Sequence, residues 1–146
     1  LVNLIFEDDK FASLFYGELT THKGGLFLFA NAGHNPPIFL QAKTNEAEFL
    51  QPTGPVLGPA PDAKYHVDSV NFTKGDVLLL YSDGITDTAN DNFEAYGEER
   101  LLKKFKELSK SKTREIALGI LDDVIRFSKN GKYADDMTLV VIKKVK

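Results

Sequence analysis

The sequence contains no cysteine. Disulfide scaffolds, thiolate zinc sites and cysteine nucleophiles are therefore excluded, and a reducing, intracellular compartment is compatible with the chain. Also missing is any apolar run approaching the ~20 residues that a membrane span needs. The longest apolar stretches, such as Val77-Leu78-Leu79-Leu80-Tyr81, have strand length. The first residues show no basic-then-apolar-then-small signal pattern. An excess of positive charge is lacking too: the formal net charge is −3, against a nucleic-acid binder with its basic face. The lysines gather within 103–112 and at 143–146, where a solvated helix face and tail account for them.

What remains is ordinary globular material. The 146 residues are 42% hydrophobic, 11% aromatic and 27% charged, enough for one domain with a real core. The chain opens on Leu1, Val2, Leu4, Ile5 and Phe6 without an initiator Met. That is an apolar pattern caught midway, like the end of a helix, so a fragment of a longer protein is expected.

The aromatic run 11–19 reads as a strand, followed by turn chemistry over 21–25 and a second strand over 26–30. Their continuous apolarity predicts a hairpin buried on both faces. A short strand at 38–40 and its return at 48–50 flank a polar turn. Residues 51–62 hold four prolines and two glycines and read as loop. Strands are expected over 65–72, Val77–Tyr81 (central and buried) and 138–142, with loop over 86–92. Helices are expected over 98–109 and from Thr113, a candidate N-cap, to a stop at Asn130-Gly131. Strands first, then two helices and a last strand, without βαβ alternation, give an α+β fold with an antiparallel sheet.

Two acidic positions stand at the ends of the most apolar strands. Asp83 follows Val77–Tyr81 within Tyr81-Ser82-Asp83-Gly84, and Asp135-Asp136 precedes 138–142. If those strands are antiparallel neighbours, Asp83 and Asp135 converge on one rim of the sheet. Clustered carboxylates repel unless a cation intervenes, and hard divalent ions favour such oxygen ligands. Composition alone fits a plain Asp-Gly turn and a solvated Asp-Asp loop better. Within Ala32-Gly33-His34-Asn35-Pro36-Pro37, His34 has the chemistry of a general acid or base or a phosphate ligand. A structured turn, with Asn35 held extended by the proline after it, is the alternative.

Four segments in this order narrow the choice: Phe11-Ala12-Ser13-Leu14-Phe15-Tyr16-Gly17; Ala30-Asn31-Ala32-Gly33-His34-Asn35-Pro36-Pro37; Gly75-Asp76-Val77-Leu78-Leu79-Leu80-Tyr81-Ser82-Asp83-Gly84-Ile85-Thr86-Asp87; and Asp135-Asp136-Met137-Thr138-Leu139. Together they resemble the sporulation stage II E and RsbU-type branch of the bacterial PPM (PP2C-like) phosphatases, over essentially the whole chain. The resemblance implies a PP2C-like antiparallel β-sandwich flanked by helices, with two Mn²⁺ or Mg²⁺ ions at one end. It implies hydrolysis of phosphoserine or phosphothreonine by metal-activated water, in bacterial stress or sigma-factor partner switching. Asp83 and Asp135 map to metal ligands and thus to the catalytic centre. Asp136 maps to a further metal-site position, Asp87 to a residue supporting a weaker metal, and His34 and Asn35 to a signature of the active-site loop.

The same resemblance implies a phosphorylated, anti-anti-sigma-factor-like protein substrate, an upstream sensor or regulatory domain and a cytoplasmic location; a homodimer, swapped to cover sheet edges that a truncated piece would expose, is a further expectation. No nucleic-acid partner and no membrane span are expected. One departure stands out. The family's Gly-Asp-x-x-Gly-His-Gly-like segment, whose aspartate bridges both metals, has no counterpart here. Residues 1–146 are therefore expected to form a single partial PPM-type domain, N-terminally truncated, with two of three carboxylates and of little activity alone. The alternative is a non-catalytic interaction module, a pseudophosphatase that keeps the scaffold.

Overall fold

The computed structural model describes residues 10–20, 25–129 and 135–145. It has two compact units. One is built from the residues up to Pro36 together with Leu50–Thr73, the other from Pro37–Phe49 together with Lys74 onward.

The first unit holds a three-stranded antiparallel sheet in the order β1 (Leu14–Thr20), β2 (Leu26–Ala32), β5 (Asp68–Asn71). The expected hairpin forms, with Thr20 opposite Leu26 and Leu14 opposite Ala32. Its turn, including His22, and the N-terminal apolar residues lie outside the described residues. Burial on both faces does not hold. In β2 it alternates, with Phe27 and Phe29 buried and Leu26 exposed, while in β1 Leu14 and Tyr16 are exposed. Alternate side chains point to opposite faces of a strand, and here the aromatic face makes the core. Phe15, Phe27 and Phe29 stack at 5.7–6.3 Å between ring centroids, and Phe72 joins Phe27 at 6.2 Å. The strand expected over 65–72 is confined to β5, and 51–62 is loop.

The second unit holds a four-stranded antiparallel sheet in the order β4 (Ala47–Phe49), β3 (Ile38–Leu40), β6 (Val77–Tyr81), β7 (Leu139–Lys143). β6 is central, as its composition predicts. Ile38, Leu40, Val77, Leu79 and Tyr81 share one core with Leu101 and Phe105 of α2 (Gly97–Leu108) and Ile116, Ile120 and Val124 of α3 (Thr113–Ser128). Lys112, not Thr113, takes the N-cap position of α3. Its exposed amide donates to the Glu115 carboxylate at 3.0 Å, so the helix start is held from three residues inside it, at a different amide from the one a threonine cap would have met. The expected stop at Asn130-Gly131 lies outside the described residues. A single helical turn, α1 (Asp83–Thr86), directly follows β6.

Candidate metal centre

The β6–β7 ladder positions the rim. Its last pair is Tyr81 opposite Leu139. One residue on, Ser82 N still donates to Thr138 O at 3.1 Å, but the Ser82 carbonyl is already taken by Ile85 N at 3.1 Å, which winds α1. That carbonyl, turned into the helix, does not also accept from Thr138 N, and the side chain fills the gap. Ser82 Oγ accepts from Thr138 N at 2.9 Å and donates to Asp136 O at 3.0 Å. Gly84 completes the approach. A Cβ there would lie 2.4 Å from Asp136 O and 3.1 Å from Asp135 O, so the missing side chain is what lets α1 reach this segment.

Asp83 and Asp135 are thereby carried on backbone segments in direct contact, and both side chains are exposed. Each is restrained alike. Asp83 Oδ1 accepts from Gly84 N at 2.9 Å, and Asp135 Oδ1 accepts from Asp136 N at 2.7 Å. Among the described residues the second oxygen of each has no hydrogen-bond partner, and neither carboxylate is ion-paired. Asp136, also exposed, adjoins them through its carbonyl bond to Ser82. Asp87 caps the single turn of α1, donating its amide to Asp83 O at 2.8 Å, and its exposed carboxylate follows Asp83 by four residues. That spacing sets the two on one helical face.

Buried groups brace the rim from behind. Thr88, fully buried, donates its hydroxyl to Gly84 O at 2.6 Å, and Tyr96 N donates to Thr88 O at 2.8 Å. Tyr81 donates its hydroxyl to Glu98 Oε1 at 3.2 Å. Burial, and then the Glu98 carboxylate, push the Tyr81 phenol well above its ordinary range, so this tie persists through physiological pH. Sequence reasoning missed Ser82, Thr88 and Glu98. A hydroxyl directly before Asp83 was the one available signal, and it was read only as part of a motif.

His34 and Asn35 belong to the first unit, half-buried in the loop after β2. The loop is held by Asn31, which is fully buried. Its amide nitrogen donates to His34 O at 3.0 Å and Leu50 O at 3.2 Å, and its side-chain oxygen accepts from His34 N at 2.8 Å. His34 Nδ1 is hydrogen-bonded to Ser13 Oγ at 3.0 Å, which leaves Nε2 as its other polar atom. Gly33 turns the chain at φ +64°, where a side chain would also strike Val56. A polar Asn31 inside an otherwise apolar strand was the overlooked sign of this bracket.

Two unpaired, partly restrained carboxylates with a free oxygen apiece suit a hard divalent cation. They fit one side of such a site. Among the described residues no group of three or more His, Cys, Asp or Glu side chains converges to hold a metal by itself.

Two curated relatives are each 30% identical to the chain: protein IcfG of Synechocystis sp. over 138 residues, and phosphoserine phosphatase RsbU of Bacillus subtilis over 135. The alignments cover 90% and 92% of the chain, but only 20% of IcfG and 39% of RsbU. The phosphatase domain of the cell fate determinant SpoIIE from Bacillus subtilis, in a manganese-presoaked structure, superposes with a TM-score of 0.69 at 22% identity. That match covers 92% of this chain and 57% of that domain, and it shows the PP2C-type α+β fold. The stage II sporulation protein E (SpoIIE) family matches residues 1–145. The chain belongs to that family, the SpoIIE/RsbU-type branch of the PPM phosphatases.

Proposed function

We propose that this chain supplies the Asp83/Asp135 side of a divalent-metal centre, Mn²⁺ or Mg²⁺, that hydrolyses phosphoserine or phosphothreonine in a protein substrate. The observation that carries the reading is the pair of carboxylates on stapled backbone segments, each with one oxygen fixed by the next amide and one free. Two such ions, when bound, provide an activated water and neutralise the phosphoryl oxygens. Asp83 and Asp135 hold the metals, Asp136 lends its carboxylate beside Asp135, and Asp87 supports a weaker position one turn along α1. His34 and Asn35 form part of the substrate loop, with His34 fixed through Nδ1 and free to donate or accept at Nε2.

The centre needs a further carboxylate. The chain covers 57% of the solved SpoIIE domain, and on this reading the missing ligand comes from the uncovered part of such a domain, residues 1–146 being one partial domain. The substrate class follows RsbU, a phosphoserine phosphatase: a phosphorylated, anti-anti-sigma-factor-like protein, within a cytoplasmic signalling protein that carries a sensor or regulatory domain. No helix among the described residues is long and apolar enough to cross a membrane.

The test is hydrolysis of a phosphoserine peptide by the full-length protein with Mn²⁺. Asp83→Asn removes a ligand itself and should lower turnover by more than the ~10–100-fold usual for losing an outer-shell partner. Wild-type rates in Asp83→Asn, or full activity in chelator, would overturn the reading. A second reading, a scaffold that binds without turnover, draws on the absence of a complete three-group cluster among the described residues. Mn²⁺ binding by the full-length protein with no hydrolysis would favour it.

A further inference from the structure

We infer that Ser82 is a positioning residue that sets the separation of the two metal-holding carboxylates; this deepens the proposed function and rests on it. The case lies in how the β6–β7 ladder ends. In register, Ser82 stands opposite Thr138, one step beyond the Tyr81–Leu139 pair. A regular antiparallel pair exchanges two backbone bonds at such a step. Here only one exists, Ser82 N to Thr138 O. The reciprocal bond to the Ser82 carbonyl is absent: that carbonyl turns to accept from Ile85 N as α1 opens, and Thr138 N donates to Ser82 Oγ instead.

The hydroxyl substitutes for that carbonyl and does more. It accepts from Thr138 N at 2.9 Å, replacing the lost ladder bond, and donates to Asp136 O at 3.0 Å, a contact that no backbone group there could make. One side chain thus clamps 136 and 138 to the residue preceding Asp83. Asp83 can leave the strand and enter a helix while Asp135 stays at a fixed distance. Of the common small residues, only serine and threonine carry a hydroxyl at this reach that can both donate and accept. Alanine leaves the Thr138 amide and the Asp136 carbonyl without a protein partner and frees the acidic segment to drift from Asp83.

Mn²⁺ binding to the full-length protein, measured by isothermal titration calorimetry well below the unfolding temperature, tests this. Ser82→Ala should weaken Mn²⁺ by roughly 10–100-fold, the usual effect of removing a group that orients metal ligands, and Ser82→Thr should keep near wild-type affinity. A purely structural serine would lower the melting temperature of the metal-free protein and leave Mn²⁺ affinity unmoved; that outcome overturns the inference. Should Ser82→Ala not fold, Ser82→Cys replaces it, since a thiol keeps the volume and hydrogen-bonds weakly. Equal affinities for the Cys and Thr variants then overturn it. Asp83→Asn is the control for the reading beneath. If it too binds Mn²⁺ like wild type, the metal centre itself is wrong and the role of Ser82 falls with it; if it loses binding and Ser82→Ala does not, only the inference fails.

Discussion

Gly84 and Asp136 are in backbone contact so close that a Cβ on the glycine would sit 2.4 Å from the Asp136 carbonyl oxygen and 2.9 Å from its carbon. The glycine lies within α1, where alanine would ordinarily be favoured by about 1 kcal/mol. Its obstacle is steric, and backbone cannot swing aside as a flexible side chain can. Gly84→Ala should therefore destabilise the fold by about 1–3 kcal/mol, the usual range for overpacking. It should also push the 135–138 segment from Asp83 and weaken Mn²⁺ in the full-length protein. Denaturant unfolding and metal titration check the two effects. A neutral or stabilised Gly84→Ala would show that the contact relaxes freely.

Asn31 governs the other loop. Its fully buried side chain satisfies both backbone groups of His34 and the carbonyl of Leu50. Asn31→Ala leaves those groups unpaired, at ~1–3 kcal/mol for each that stays dry. Because the His34 groups are only partly buried, a total loss of about 2–4 kcal/mol is expected. Asn31→Asp can still accept from His34 N but cannot donate to two carbonyls while ionised. Its penalty should grow as pH rises through the ordinary carboxylate range near ~4. Chemical denaturation of both variants at acidic and neutral pH measures this, and a pH-independent loss in Asn31→Asp would count against the bracket.

These two sites show what the sequence could and could not disclose. The apolar run Val77–Tyr81 announced a central strand because five residues apolar on both faces have strand length and are too few for a buried helix, and the aspartates at its end and before β7 were visible as candidates. Their contact was conditional on β6 and β7 being neighbours, a long-range pairing that local pattern does not encode. Ser82 escaped notice because its role exists only once its carbonyl has turned into α1. The two-sided burial expected of the first hairpin failed for a related reason. Apolarity in Leu14, Tyr16 and Leu26 records that a residue can be buried, whereas the register decides which face is.

The Tyr81–Glu98 bond links the end of β6 to the first turn of α2. Glu98 is exposed, so solvent screens the pair and the hydrogen bond should contribute no more than ~1 kcal/mol. Its value lies in orientation. Tyr81→Phe should cost about that much stability, and Glu98→Gln, which still accepts a hydrogen bond, should cost less. Thermal melts of the two variants separate these cases. If Glu98→Gln proves the more damaging, the charge matters more than the acceptor.

Tyr81 and Tyr96 carry an alkaline signature. Burial raises both phenols first; hydrogen bonds and charge from Glu98 on Tyr81 and from Asp123 on Tyr96 raise them further. The Tyr96 hydroxyl donates to Asp123 Oδ2 at 2.7 Å. In the unfolded chain each ionises near the ordinary phenol value of about 10. Above that pH the folded state holds protons that the unfolded state has lost, so stability is intact below about 10 and falls as pH rises beyond it. Phenolate absorbance should then show that removing either hydroxyl, in Tyr81→Phe or Tyr96→Phe, takes no phenolate out of the folded-state titration up to pH ~10. Each variant should also show a shallower loss of stability with alkaline pH than wild type. A variant that instead removes one phenolate from the folded-state titration would mean that its tyrosine is open to solvent, and that the brace behind Asp83 is looser than the structure has it.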